Sequence, residues 1–123
     1  MAMFPCVKKH LISGVNVMPK YLIKASYSQE GVKGLLKDGG TSRQKAIEGL
    51  AESQGAKIES FYYAFGEADI YCIIDVPDEA TMTAISLTVA ASGAVSLSTT
   101  VLIDPETIDT ATEKTVSYIP PGR

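Results

Sequence analysis

The stretch Ala56 to Val76, AKIESFYYAFGEADIYCIIDV, constrains the fold more than any other part of the chain. Two runs rich in Ile, Phe, Tyr and Val meet at Phe65-Gly66-Glu67 with no helix-length spacer between them. A parallel return needs a crossover, so strands joined this tightly form an antiparallel hairpin. Gly66 supplies the backbone freedom that the reversal demands. Glu67-Ala68-Asp69 then sets two carboxylates at the start of an otherwise apolar strand. Along that strand Ile70, Cys72 and Ile74 face one way, and Asp69, Tyr71, Ile73 and Asp75 the other.

The flanking segments extend the pattern. Lys20 to Tyr27 alternates as a first strand, with Tyr21, Ile23, Ala25 and Tyr27 set against Lys20, Leu22, Lys24 and Ser26. Ser26 or Ser28 caps the next segment, where Val32, Leu35 and Leu36 are spaced for a helix. Gly31 and Gly34 each cost about 1 kcal/mol relative to Ala, which predicts a short, marginal helix or a mobile turn. Asp38-Gly39-Gly40 interrupts it, either as a break or as a bend within one longer helix. A better helix starts at Thr41 or Ser42, carries Ala46, Ile47, Leu50, Ala51 and Gln54 on one stripe, and stops at Gly55.

After the hairpin, Pro77 ends ladder pairing and Asp78-Glu79 opens a helix whose buried stripe is Met82, Ile85, Ser86 and Val89, closed by Gly93. Ala94 to Ile103 reads as the fourth strand. Asp104-Pro105 caps a short C-terminal helix reaching about Lys114, and Thr115 to Arg123 is an extended tail. The order is β-α-β-β-α-β, the split-βαβ signature, and the fold class is α+β: a ferredoxin-like sandwich on a four-stranded antiparallel sheet. Such a fold covers one sheet face with helices. The other face carries Tyr71 and Ile73, and a bare apolar face usually meets another sheet or a ligand. Self-association through the sheets is the simplest outcome.

Composition excludes several classes. The chain has 123 residues, 46% apolar and 20% charged, which fits one soluble globular domain. A net charge of -3 without a dense Lys/Arg cluster argues against a phosphate-binding surface. Strand two has the aromatics of an RNA-binding sheet, but Glu67, Asp69 and Asp75 place acid where phosphates would pass, so no nucleic-acid partner is expected. No apolar run is long enough for a membrane span, the N-terminus does not read as a secretory signal, and a cytoplasmic location follows by default. Cys6 and Cys72 form no metal spacing or disulfide scaffold, and His10 is the single histidine, so no metal or cofactor is expected. Cys72, amid isoleucines, reads as a small buried hydrophobe. Residues 1–17 lack a sustained period. Either translation naturally starts at Met18 and the leader is artefactual, or the leader is a real extension of the domain at 18–122.

The Met18-Pro19-Lys20-Tyr21 opening, the Gly-x-x-Asp of Gly66-Glu67-Ala68-Asp69 and the closing Tyr118-Ile119-Pro120-Pro121-Gly122, in this element order, resemble the GYD family. The family is named for a Gly, a Tyr and an Asp at the start of the third strand. It is similar to the dimeric α/β-barrel group, in which two open sheets pack face to face. The resemblance therefore implies a dimeric barrel and no settled activity. The chain departs at the motif itself, because the family's Tyr position holds Ala68.

Five residues carry the candidate chemistry. Asp69, facing an apolar interior, could act as a general base with a raised pKa; the plainer role is to satisfy turn N–H groups. Tyr71 would orient a substrate. Glu67, Lys24 and Tyr63 are candidate ligand contacts, Glu67 sharing the parity of Asp69 and Lys24 reaching across the open sheet toward it. Asp38 to Ser42 has only a superficial likeness to a phosphate loop and reads as a helix break, or else as a lid. These features suit a small oligomeric binding or regulatory domain with an inter-sheet pocket for a small organic ligand. A cofactor-independent isomerase or monooxygenase, or an assembly subunit, is the alternative.

Overall fold

A computed structural model describes residues 18–122. The leader, with Cys6 and His10, lies outside the described residues. The elements are β1 (Lys20–Tyr27), α1 (Gln29–Asp38), α2 (Gly40–Ser53), β2 (Lys57–Tyr63), β3 (Ile70–Asp75), α3 (Glu79–Ala91), β4 (Val95–Leu102) and α4 (Pro105–Thr112). The strands form one sheet in the order β2-β3-β1-β4. Every neighbouring pair is antiparallel, so β1 and β2 run the same way with β3 inserted between them. The chain is thus an α+β protein built on an open four-stranded antiparallel sheet. Among the described residues no helix is long and apolar enough to cross a membrane.

Alternation decides which face is core. Tyr21, Ile23 and Ala25 of β1 are buried, as are Ile70, Cys72 and Ile74 of β3, and the residues between them are half-buried. Register places Cys72 beside both Ile23 and Phe61. Met82 and Ile85 of α3 and Ala51 of α2 close the core from the helix side, with Leu50, Val89 and Leu97 packed at its margin. Of the stripe expected on α2, Ala46 and Gln54 are exposed; the helix turns only Ala51, Leu50 and Ile47 inward.

Local signals set the boundaries. Ser28 caps α1 by accepting from Gly31 N, Asp78 caps α3 by accepting from Thr81 N, and Asp104 caps α4 by accepting from Thr107 N. Gly39, at φ 85° and ψ 161°, makes a corner that only glycine adopts readily, so α1 and α2 are separate helices, not one bent one. The segment 38–42 is accordingly a helix break.

The segment after β1 is a ten-residue helix, the short helix of the two forms expected there and not a mobile turn. Gly31 is buried at a close helix–strand contact, and Ser28 N anchors the helix start to Ala94 O at 2.8 Å, so tertiary contact outweighs weak propensity. The third strand begins at Ile70, not at the carboxylates. Ala64 N donates to Asp69 O at 2.9 Å and closes the loop, leaving the intervening residues outside the ladder. The shared parity inferred for Glu67 and Asp69 therefore does not apply.

Candidate functional site

The face of the sheet away from the core carries Leu22, Lys24 and Ser26 from β1, Tyr71 and Ile73 from β3, Tyr62 from β2, and Ser96 and Ser98 from β4. Lys24 pairs in register with Tyr71 on one side and Ser98 on the other. Its Nζ lies 5.9 Å from the centre of the Tyr71 ring, within cation–π range, and donates to Glu67 Oε1 at 2.7 Å. The hairpin loop thus bends Glu67 back over the sheet. The hydrogen bond to Glu67, reinforced by its charge, raises the Lys24 pKa above the usual lysine value; the same bond holds Glu67 below the usual carboxylate range. Lys24, Ser26, Glu67, Ala68, Ser96 and Ser98 surround an open hollow of about 260 Å³. It offers one cation, one carboxylate and three hydroxyls.

A second charged cluster on this face went unforeseen. Lys20 Nζ contacts Glu59 and lies 2.8 Å from Asp75 Oδ1, an ion contact without a well-directed hydrogen bond to that oxygen. Asp75 and Glu59 together raise the Lys20 pKa. Lys20 and Asp75 share a parity readable from the sequence. Glu59 does not, because the β2–β3 register shifts between Ile58 and Ser60, and alternation alone does not encode a bulge.

Asp69 sits elsewhere. Its backbone N donates to Ala25 O at 2.8 Å, and its Oδ2 accepts from Tyr27 N at 2.8 Å. Tyr27 N lies two residues along the same edge of β1, so the carboxylate prolongs the β1–β3 ladder past its last backbone pair. It satisfies a backbone N–H across the sheet, whereas the sequence suggested one within the turn. Asp69 and Tyr63 border a separate hollow beneath α1, with Tyr27, Val32, Leu35 and Phe65. Tyr63 donates its hydroxyl to Gly40 O at 3.0 Å and meets the Phe61 ring edge-on at 5.3 Å. Burial, with the adjacent Tyr27 hydroxyl, pushes the Tyr63 pKa up.

The structure therefore brings Lys24, Glu67 and Tyr71 together, and places Asp69 with Tyr63 at a different surface. Lys24 meets Glu67 where Asp69 was expected. Among the described residues no group of three His, Cys, Asp or Glu side chains is arranged to hold a metal ion.

The family model for the GYD domain matches residues 21–112, from the first core residue of β1 to the last of α4. The chain belongs to the GYD domain family. No curated protein and no solved structure matches it. In this GYD domain Ala68, where the motif resemblance leads one to expect a tyrosine, is buried beside the Lys24–Glu67 hollow.

Proposed function

We propose that this GYD domain is a ferredoxin-like binding module that pairs with a second copy through the open face of its sheet. The two faces would enclose a pocket for a small polar organic molecule at Lys24, Glu67 and the serines beside them. The observation that carries this reading is the convergence of Lys24, Glu67 and Tyr71 on a face that also holds half-buried Leu22 and Ile73 and exposed Tyr62. Apolar side chains interleaved with charges of both signs favour a self-complementary interface: a two-fold axis lets a lysine of one copy meet a carboxylate of the other.

Such a pocket would discriminate by hydrogen bonding, since a ligand must compete with the Lys24–Glu67 pair and satisfy the groups it displaces. A catalytic role, with Asp69 as base and Tyr71 orienting the substrate, is less well supported, because the two residues border different surfaces. Native mass spectrometry of gently purified protein tests the proposal, reading oligomeric state and retained ligand mass together. A dimer carrying a reproducible extra mass, with both lost in Ile73→Lys, is the expected result. A wild-type monomer at micromolar concentration overturns it.

A further inference from the structure

The hollow beneath α1 has a chemistry unlike that of the sheet face. Its volume is about 410 Å³, and its walls are Tyr27, Val32, Leu35, Tyr63, Phe65 and Asp69, with Ala64 and Gly40 at the margin. That volume falls within the range typical of small-molecule sites. The walls are apolar or aromatic except for two hydroxyls and one carboxylate. The Tyr63 hydroxyl already donates to Gly40 O. Tyr27 N engages one oxygen of Asp69, and among the described residues no Lys or Arg forms an ion pair with this carboxylate. An anion thus faces a space lined by aromatic rings and aliphatic side chains; Arg43, close enough to act on the Tyr63 hydroxyl, makes no ion pair with it among the described residues.

The apolar walls are also unusually wet. Phe65, at the hairpin tip, is fully exposed, and Val32 is 41% exposed although it faces the hollow. Covering such surface favours binding by about 25 cal/mol per Å² removed from water.

We propose that this hollow binds a small aromatic or aliphatic amine in its ammonium form. The charge would lie against Asp69 and the faces of Tyr27 and Tyr63, and the hydrocarbon against Val32, Leu35 and Phe65. Aromatic faces attract a cation and a carboxylate completes the pairing, whereas a carboxylic acid of the same shape meets like charge. The site is separate from the inter-sheet pocket and stands whether or not the sheets pair.

Benzylamine, benzyl alcohol and benzoate share one ring and differ in charge, so titrating each into isotopically labelled protein, followed by amide NMR, tests the proposal. Benzylamine is expected to bind at least about tenfold more tightly than the other two, shifting the amides of Val32, Leu35, Tyr63 and Asp69. Asp69→Asn retains an acceptor for Tyr27 N and removes the charge, so it should bring benzylamine down to the affinity of the alcohol. Val32→Trp fills the hollow from an exposed helix face and should abolish binding, which gives an independent readout if the Asn variant folds poorly. Equal affinity for amine and alcohol overturns the proposal. So do shifts centred on Lys24 and Tyr71, unaltered binding in Val32→Trp, or no binding by any probe.

Discussion

Gly31 presents a bare Cα to the carbonyl oxygen of Ala94: a Cβ built there would lie 2.2 Å from that oxygen and 2.8 Å from Cδ1 of Tyr27. The oxygen cannot retreat freely, since it also accepts from Ser28 N at 2.8 Å and Ser28 Oγ at 3.2 Å. Gly31→Ala therefore gains about 1 kcal/mol in helix propensity and loses more to overpacking, typically about 1–3 kcal/mol and here against backbone. Gly34, in the same helix, has nothing within 4 Å of its would-be Cβ. Urea denaturation should show Gly31→Ala destabilised and Gly34→Ala stabilised by about 0.5–1 kcal/mol. Equal shifts of either sign would refute the contact argument.

Tyr63 offers a second local test. Its ring packs over Gly40, where a Cβ would come within 3.1 Å of Cε2, and its hydroxyl donates to the Gly40 carbonyl. The contact ties the end of β2 to the first residue of α2. Tyr63→Phe should cost about 0.5–1.5 kcal/mol, the net value of a partly exposed hydrogen bond. Hydrogen exchange should quicken at the α2 N-terminus while the β1–β3 ladder stays protected; uniform loss of protection would refute a local role.

The strands were legible because a sheet with one buried face imprints period two on its residues. β1 runs over the residues that alternate, Lys20–Tyr27, and Ser28, Asp78 and Asp104 mark helix starts through side chains that cap locally. What failed to show depended on contacts remote in sequence. Gly31 reads as a weak helix residue until Ala94 is seen above it. The Glu59 bulge and the end of the β3 ladder before Asp69 shift parity without changing composition. Lys24 and Tyr71 could be placed on one face by counting, but Glu67 reaches them only because a loop, not a strand, carries it there.

The Lys24–Glu67 pair has a titration signature. The bond to Lys24 holds the Glu67 carboxyl below its ordinary 4.5, so the ion pair persists above that value and is lost as pH falls through the depressed one. At the alkaline end Lys24, raised above 10.5, keeps its charge past the usual lysine range. NMR titration of the side-chain carboxyl carbons should find Glu67 titrating below the ordinary 4.5 of a free glutamate. Lys24→Met should return it to the ordinary value, and an unchanged midpoint in that variant would show that the contact is not populated in solution.

Cys72 should make the fold sensitive to alkali. The thiol lies between Ile70 and Ile74 on the helix side of the sheet, beside an apolar slot of about 80 Å³, and burial pushes its pKa from 9.0 up to about 11. In the unfolded chain it ionises near 9, so the raised folded value leaves stability intact below pH 9 and removes it as pH climbs to 11. At about 1.4 kcal/mol per unit the loss over that window is on the order of 2 kcal/mol. Buried Tyr21, whose pKa burial also raises, adds its own loss in the same direction, so wild type alone does not isolate the thiol. Cys72→Val retains the Tyr21 contribution and removes that of the cysteine. Its stability relative to wild type should therefore improve between pH 8.5 and 10.5, measured by urea denaturation at each pH. The native thiol should also resist disulfide exchange reagents at pH 8, reacting only as fast as the core opens. A constant offset between the two proteins across that range, or rapid labelling of the native thiol, would show that water reaches Cys72 through the slot.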